Sequence, residues 1–193
     1  MTTETARRAA WRMPLRSQII IALVSALIVA AKFYLNLPLH VPGHSGIFWM
    51  ALIVIGVGLV RRPGAGTLVG LVSGILAMLF VPGRQGMFVS VKYLAAGFTV
   101  DVLTQLLGGR LDRFLVAIVV AAAGNVAKLA SSYVIGVLAG VPGGFLALGL
   151  GVAASTHLVF GALGGWIGAL VLKRLARAGI PEPVTLAEEA VVP

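Results

Sequence analysis

The sequence predicts an all-α, polytopic membrane protein with six transmembrane helices and both termini on the cytoplasmic side. Three observations carry that prediction. The 193-residue chain is 59% hydrophobic and 11% charged, with a mean hydropathy of +1.03. A soluble domain carries roughly a quarter of its residues charged, whereas a lipid-facing exterior needs no such charge. Six apolar runs are separated by short breaks rich in Pro, Gly and Arg. Basic residues cluster at alternate breaks, which is the pattern that fixes membrane orientation.

Residues 1–16 form a basic lead with Arg7, Arg8, Arg12 and Arg16. The apolar run after it is too long for a secretory signal core, and no polar mature domain follows, so it reads as a retained first span. That span runs from about Ser17 to Leu37, then breaks into a loop through Pro38, Pro42 and Gly43. Span two covers about Ile47 to Val60 and stops at Arg61-Arg62-Pro63-Gly64. Span three runs from about Ala65 to Val81, span four from Met87 to Leu107, span five from Leu115 to Ala139 and span six from Phe145 to Leu172. Pro82-Gly83, Gly108-Gly109 and Val141-Pro142-Gly143-Gly144 supply the breaks. Residues 17–178 thus form the transmembrane domain, and 179–193 a cytoplasmic tail expected to be disordered. With the N-terminus inside, eleven of the fifteen Lys and Arg residues fall on cytoplasmic pieces, Arg84 alone lies in an outer loop, and Lys32, Lys92 and Lys128 lie within spans.

Composition also excludes functions. The net charge of +9 and pI near 11.2 come from helix ends, not from a soluble surface, so nucleic acid is not the partner. There is no cysteine, hence no disulfide framework and no thiolate metal site. No P-loop, GxSxG or HExxH pattern occurs, so the chain is not expected to be an enzyme and calls for no cofactor.

Small residues recur at four-residue spacing in span one (Ala22, Ala26, Ala30) and span three (Gly66, Gly70, Gly74), and at three- and four-residue spacing in span six (Gly161, Gly164, Gly168). Such stripes let another helix approach closely where lipid removes the hydrophobic drive. The first two are candidates for docking a partner helix, with packing of spans one and three on each other as the competing reading. The third is assigned to internal packing.

A lysine at the centre of a membrane helix costs about 2.5–3.5 kcal/mol on insertion scales. Lys32 and Lys92 lie in the outer halves of their spans and Lys128 near the middle of its own; Ser25 and Asn36 share the Lys32 face, Asn125 and Ser132 that of Lys128. His157 points into the bundle. The expected result is a positive cavity open to the outside, suited to a carboxylate or phosphate group. Snorkelling to headgroups competes for Lys32 and Lys92, and a helix–helix hydrogen bond for His157. Asp101, in the inner half of span four, is expected to pair with Lys128 or to cap the cytoplasmic side. His40 and His44 are four apart, but Pro42 and Gly43 between them oppose a helical metal pair, so they read as loop contacts to a solute. Tyr93 and Trp49 are candidate stacking partners for a ring.

Taken together, the six spans, the inward termini, the length and the Ala22-x-x-x-Ala26-x-x-x-Ala30 stripe resemble the substrate-binding S component of energy-coupling factor (ECF) vitamin importers. Arg61-Arg62-Pro63-Gly64-Ala65 and Leu175-Ala176-Arg177-Ala178-Gly179 are similar to the branch taking up hydroxymethylpyrimidine. The resemblance implies a multi-pass protein of a prokaryotic cell membrane. It implies that the alanine stripe docks on a transmembrane T component energised by two ATPase subunits. It implies that Pro38 to Gly46 gates the site and that Lys92, Lys128, Asn125 and His157 line it. A stand-alone proton- or ion-coupled carrier, with Asp101 and His157 as relay, is the alternative.

Overall fold

The computed structural model describes residues 13–34, 43–80 and 88–179. Residues 1–12 of the basic lead, Asn36 and His40 of the first loop, Arg84 and the tail from 180 lie outside the described residues. Among the described residues the fold is helical throughout: α1 (Leu15–Tyr34), α2 (Gly46–Val60), α3 (Ala65–Phe80), α4 (Phe88–Leu106), α5 (Phe114–Leu138), the short α6 (Gly143–Ala147) and α7 (Leu150–Arg177). By length and composition α1, α5 and α7 can cross a membrane, and α2 and α3 are shorter apolar helices.

The helices form a bundle organised around α2. It packs against α1, α3 and α7 and also touches α4 and α5, and its buried side extends from Gly46 to Val60. Met50, Ile53 and Val54 on it are fully enclosed. The outer helices close around it in the order α1, α3, α4, α5, α7.

Glycine sets the tightest crossings. A Cβ on Gly70 would strike the Tyr93 carbonyl, and one on Gly66 would lie 2.8 Å from the Gly97 carbonyl. Gly74 meets the Ser90 backbone in the same way. The stripe on α3 is therefore covered by α4 of the same chain, and this corrects its expected role as a partner-docking face. It does not pack on α1 either: α1 meets α3 through Ser25, whose hydroxyl donates to the Val69 carbonyl at 3.3 Å. Ser25 is thus engaged with α3 and is not among the residues lining the cavity that holds Lys32. Ala22 and Ala26 are exposed and Ala30 is half-buried. On α7, Gly161 and Gly165 seat against the α5 backbone at Ala121 and Ala117, while Gly164 and Gly168 seat against α2.

Span six differs from its expected form. Helix breaks at Leu148-Gly149 into α6 and α7, where glycines at 149 and 151 give the chain little helical preference. At its other end α7 runs on to Arg177, since Arg174 and Arg177 in the last turn favour the negative end of the helix dipole.

The end bearing Arg61 and Arg62 is built from turn chemistry. Arg61 adopts a left-handed conformation (φ 49°) and its amide donates to the Val57 carbonyl, closing α2. Gly64 (φ 85°) then turns the chain into α3. Asp101 of α4 accepts from the Gly66 amide (2.8 Å), the Thr67 amide (2.6 Å) and the Thr67 hydroxyl. A buried carboxylate thus caps the positive end of α3. Asp101 is engaged there and does not pair with Lys128. Nearby, Arg110 donates to Asp112 at 3.1 Å and holds that carboxyl below its usual range.

Candidate functional site

At the opposite end of the bundle, four helices converge on a cavity of about 110 Å³. α1 contributes Ile28, Ala31 and Lys32, and the first turns of α2, with the residues just before it, bring His44, Ser45, Phe48 and Trp49. Tyr93 comes from α4 and Lys128 from α5. Each side chain arrives there for a local reason. Lys32 sits in the last turn of α1, where a cation suits the helix dipole. Trp49 and Tyr93 meet edge to face, with ring centroids 5.3 Å apart, and both are buried.

The ammonium of Lys128 lies 4.5 Å from the Trp49 ring centroid and 5.7 Å from that of Tyr93. That of Lys32 lies 5.4 Å from the Tyr93 centroid. Cation–π contacts of this kind contribute about 0.5–2 kcal/mol each, well short of the stabilisation a buried ammonium loses with its water. Lys92 is buried off the cavity wall, yet its charge acts on both Lys32 and Lys128. The arrangement is a positive chamber with aromatic walls. It can hold a small solute by charge and by ring contact. Among the described residues no group of three metal-ligating side chains occurs.

Of the sequence-predicted residues, Lys32, His44, Tyr93 and Lys128 come together here. Asn125, Ser132 and His157 do not join the described cavity wall. Asn125 is fully enclosed, and its Nδ2 donates to the His157 carbonyl at 2.8 Å, tying α5 to α7. Ser132 donates to the Lys128 carbonyl of its own helix at 2.9 Å. His157 donates from Nδ1 to the Ala153 carbonyl at 2.8 Å. Its ring lies against Gly43, whose positive φ of 80° and missing Cβ let the chain enter α2 there. Asn125 likewise abuts Gly46. These two side chains anchor the start of α2 and so hold the cavity's rim. Asn36 and His40 lie outside the described residues.

Ser45, Phe48, Ile28 and Ala31 are lining residues that sequence reasoning missed. Ile28 carried a usable signal: it lies four residues before Lys32, on the same helix face.

No protein-family profile matches the sequence, and no curated protein does. A solved structure described as the crystal structure of an S-component of an ECF transporter matches with a TM-score of 0.67. The match has 18% sequence identity and covers 93% of this chain and 93% of that one. The long apolar helices and this likeness together mark a membrane protein, and the chain has the fold of an ECF-transporter S-component.

Proposed function

We propose that the chain is the substrate-binding subunit of an ECF-type ABC importer for a vitamin or vitamin-like small molecule. The observation that carries this reading is the cavity shared by α1, α2, α4 and α5 in a chain of that fold. In this reading six segments span the plasma membrane of a prokaryotic cell and both termini are cytoplasmic. The Lys32–Lys128 end faces outward and receives the solute, and the Arg61–Arg62 end faces the cytoplasm. A transmembrane T component docks on α1, supported by the exposure of Ala22 and Ala26, and two ATPase subunits drive the cycle.

The stand-alone carrier is the weaker alternative. Its relay needs Asp101 to exchange protons, whereas that carboxylate is held by three donors at the start of α3.

The test is purification of the tagged full chain from its native host. T and ATPase subunits should copurify, and a small molecule should be retained and be identifiable by mass spectrometry. Ala26→Trp should abolish uptake by the assembled complex while leaving solute binding within about twofold, because Ala26 lies outside the cavity. Uptake by the isolated chain in liposomes, driven by a pH gradient, would overturn the importer reading.

A further inference from the structure

Among the described residues the lysine chamber has no carboxylate of its own. The chain holds six acidic residues: Glu4, Asp101, Asp112, Glu182, Glu188 and Glu189. Asp101 is bound to the start of α3 and Asp112 to Arg110. Glu4 precedes α1, and Lys32 lies at that helix's far end, roughly 25 Å along the axis from Leu15. Glu182, Glu188 and Glu189 lie outside the described residues, beyond the end of α7 that carries Lys173 against Phe114. The two connections flanking the chamber, 35–42 and 81–87, contain no Asp or Glu in their sequences. Whatever course those connections take, they bring no negative charge to Lys32, Lys92 and Lys128.

Three like charges so grouped destabilise one another, and burial removes the water that would screen them. Aromatic faces offset part of that cost. A second donor points the same way: the buried indole Nε1 of Trp49 has no acceptor among the described residues. The rest of the wall is apolar at Ile28, Ala31 and Phe48 and polar at His44 and Ser45.

From this we infer that the solute taken at the proposed binding site is an anion: a carboxylate or phosphate monoester carried on a small flat or apolar body, its acidic group held between Lys32 and Lys128 and its body against Phe48, Trp49 and Tyr93. The inference rests on the binding-subunit reading and narrows its substrate class. It follows from an imbalance of charge, and an anionic lipid headgroup is the other source that could supply the same chemistry.

The experiment uses the full chain in nanodiscs of phosphatidylcholine, titrated with benzoate, phenyl phosphate, benzamide and benzylamine, with the shift in Tm and calorimetric titration as readouts. Benzoate or phenyl phosphate should bind at least tenfold more tightly than benzamide, and benzylamine should not bind. Lys128→Met and Lys32→Met should each weaken the anion at least tenfold, whereas Lys173→Met, at the other end of the bundle, should leave it unchanged. Equal binding of benzamide, or preference for benzylamine, overturns the anion class while leaving the binding-subunit reading intact. A Lys128-dependent rise in Tm in phosphatidylglycerol nanodiscs, with no response to either soluble anion, assigns the counter-charge to lipid and overturns the solute proposal. Binding of none of the four probes in phosphatidylcholine overturns it as well; failure of T and ATPase subunits to copurify is the separate result that removes the binding-subunit reading.

Discussion

Asp101 illustrates how one side chain can be misjudged by position alone. An acid within a span containing a lysine invites pairing with lysines, or a proton relay. Its actual partners, the Gly66 and Thr67 amides, lie 35 and 34 residues earlier in the sequence and become neighbours only when α3 and α4 pack. No local spacing encodes that. Asp101→Ala should leave two amides at the start of α3 without their acceptor and cost about 2–4 kcal/mol, read as a lower Tm in detergent. Asp101→Asn, which keeps one acceptor, should cost less. If Asp101→Asn instead leaves Tm unchanged and abolishes uptake, the carboxylate has a role in transport beyond its cap. The lysines were easier to find, since each is expensive in lipid, and two of the three do line the cavity. Asn125 and His157 were expected to line the site as well; Asn125 donates to the His157 carbonyl of α7 and His157 to the Ala153 carbonyl of its own helix, while the buried Oδ1 of Asn125 has no donor among the described residues. Sequence cannot separate those outcomes, because the partner is the main chain of another turn.

At the scale of elements, the apolar runs were readable to within about five residues: α5, expected from Leu115 to Ala139, runs from Phe114 to Leu138, whereas the last run, expected from Phe145 to Leu172, is α7 from Leu150 to Arg177. What the small-residue stripes do was not readable from spacing. A GxxxG face fits a foreign helix and a neighbour in the same chain equally well. The discriminating feature lay on the next span, where Gly97 offers a matching bare backbone to Gly66 and Gly70. This crossing also has consequences for the cavity, because Gly70 touches the carbonyl of Tyr93, a wall residue. Gly70→Ala should force α3 and α4 apart, destabilise the fold by about 1–3 kcal/mol and weaken solute binding severalfold through Tyr93. The measurement is a Tm together with a binding titration. A fall in Tm with unchanged affinity would mean that Tyr93 keeps its place despite the displaced backbone.

For the whole molecule, the alternation of basic breaks predicts a direction for the bundle. Arg61 and Arg62 stand at one end with the Asp101 cap, and the lysine chamber stands at the other; in the proposed function the chamber end is the one that meets the solute. The absence of native cysteine makes that direction testable with single substitutions that need no cysteine-free background. Arg62→Cys lies between α2 and α3 and should be blocked by a membrane-permeant maleimide but not by an impermeant sulfonate reagent added to intact cells. Phe145→Cys, on the exposed α6 at the chamber end, should react with the impermeant reagent from outside. Opening the cells should expose Arg62→Cys and leave the labelling of Phe145→Cys unchanged. Reversed labelling would turn the chamber toward the cytoplasm, where an importer could not collect its solute. Labelling of both positions from outside would break the odd number of crossings between them that the bundle requires if α3, α4 and α5 each span: three crossings separate residue 62 from residue 145, so the two cysteines must report opposite sides.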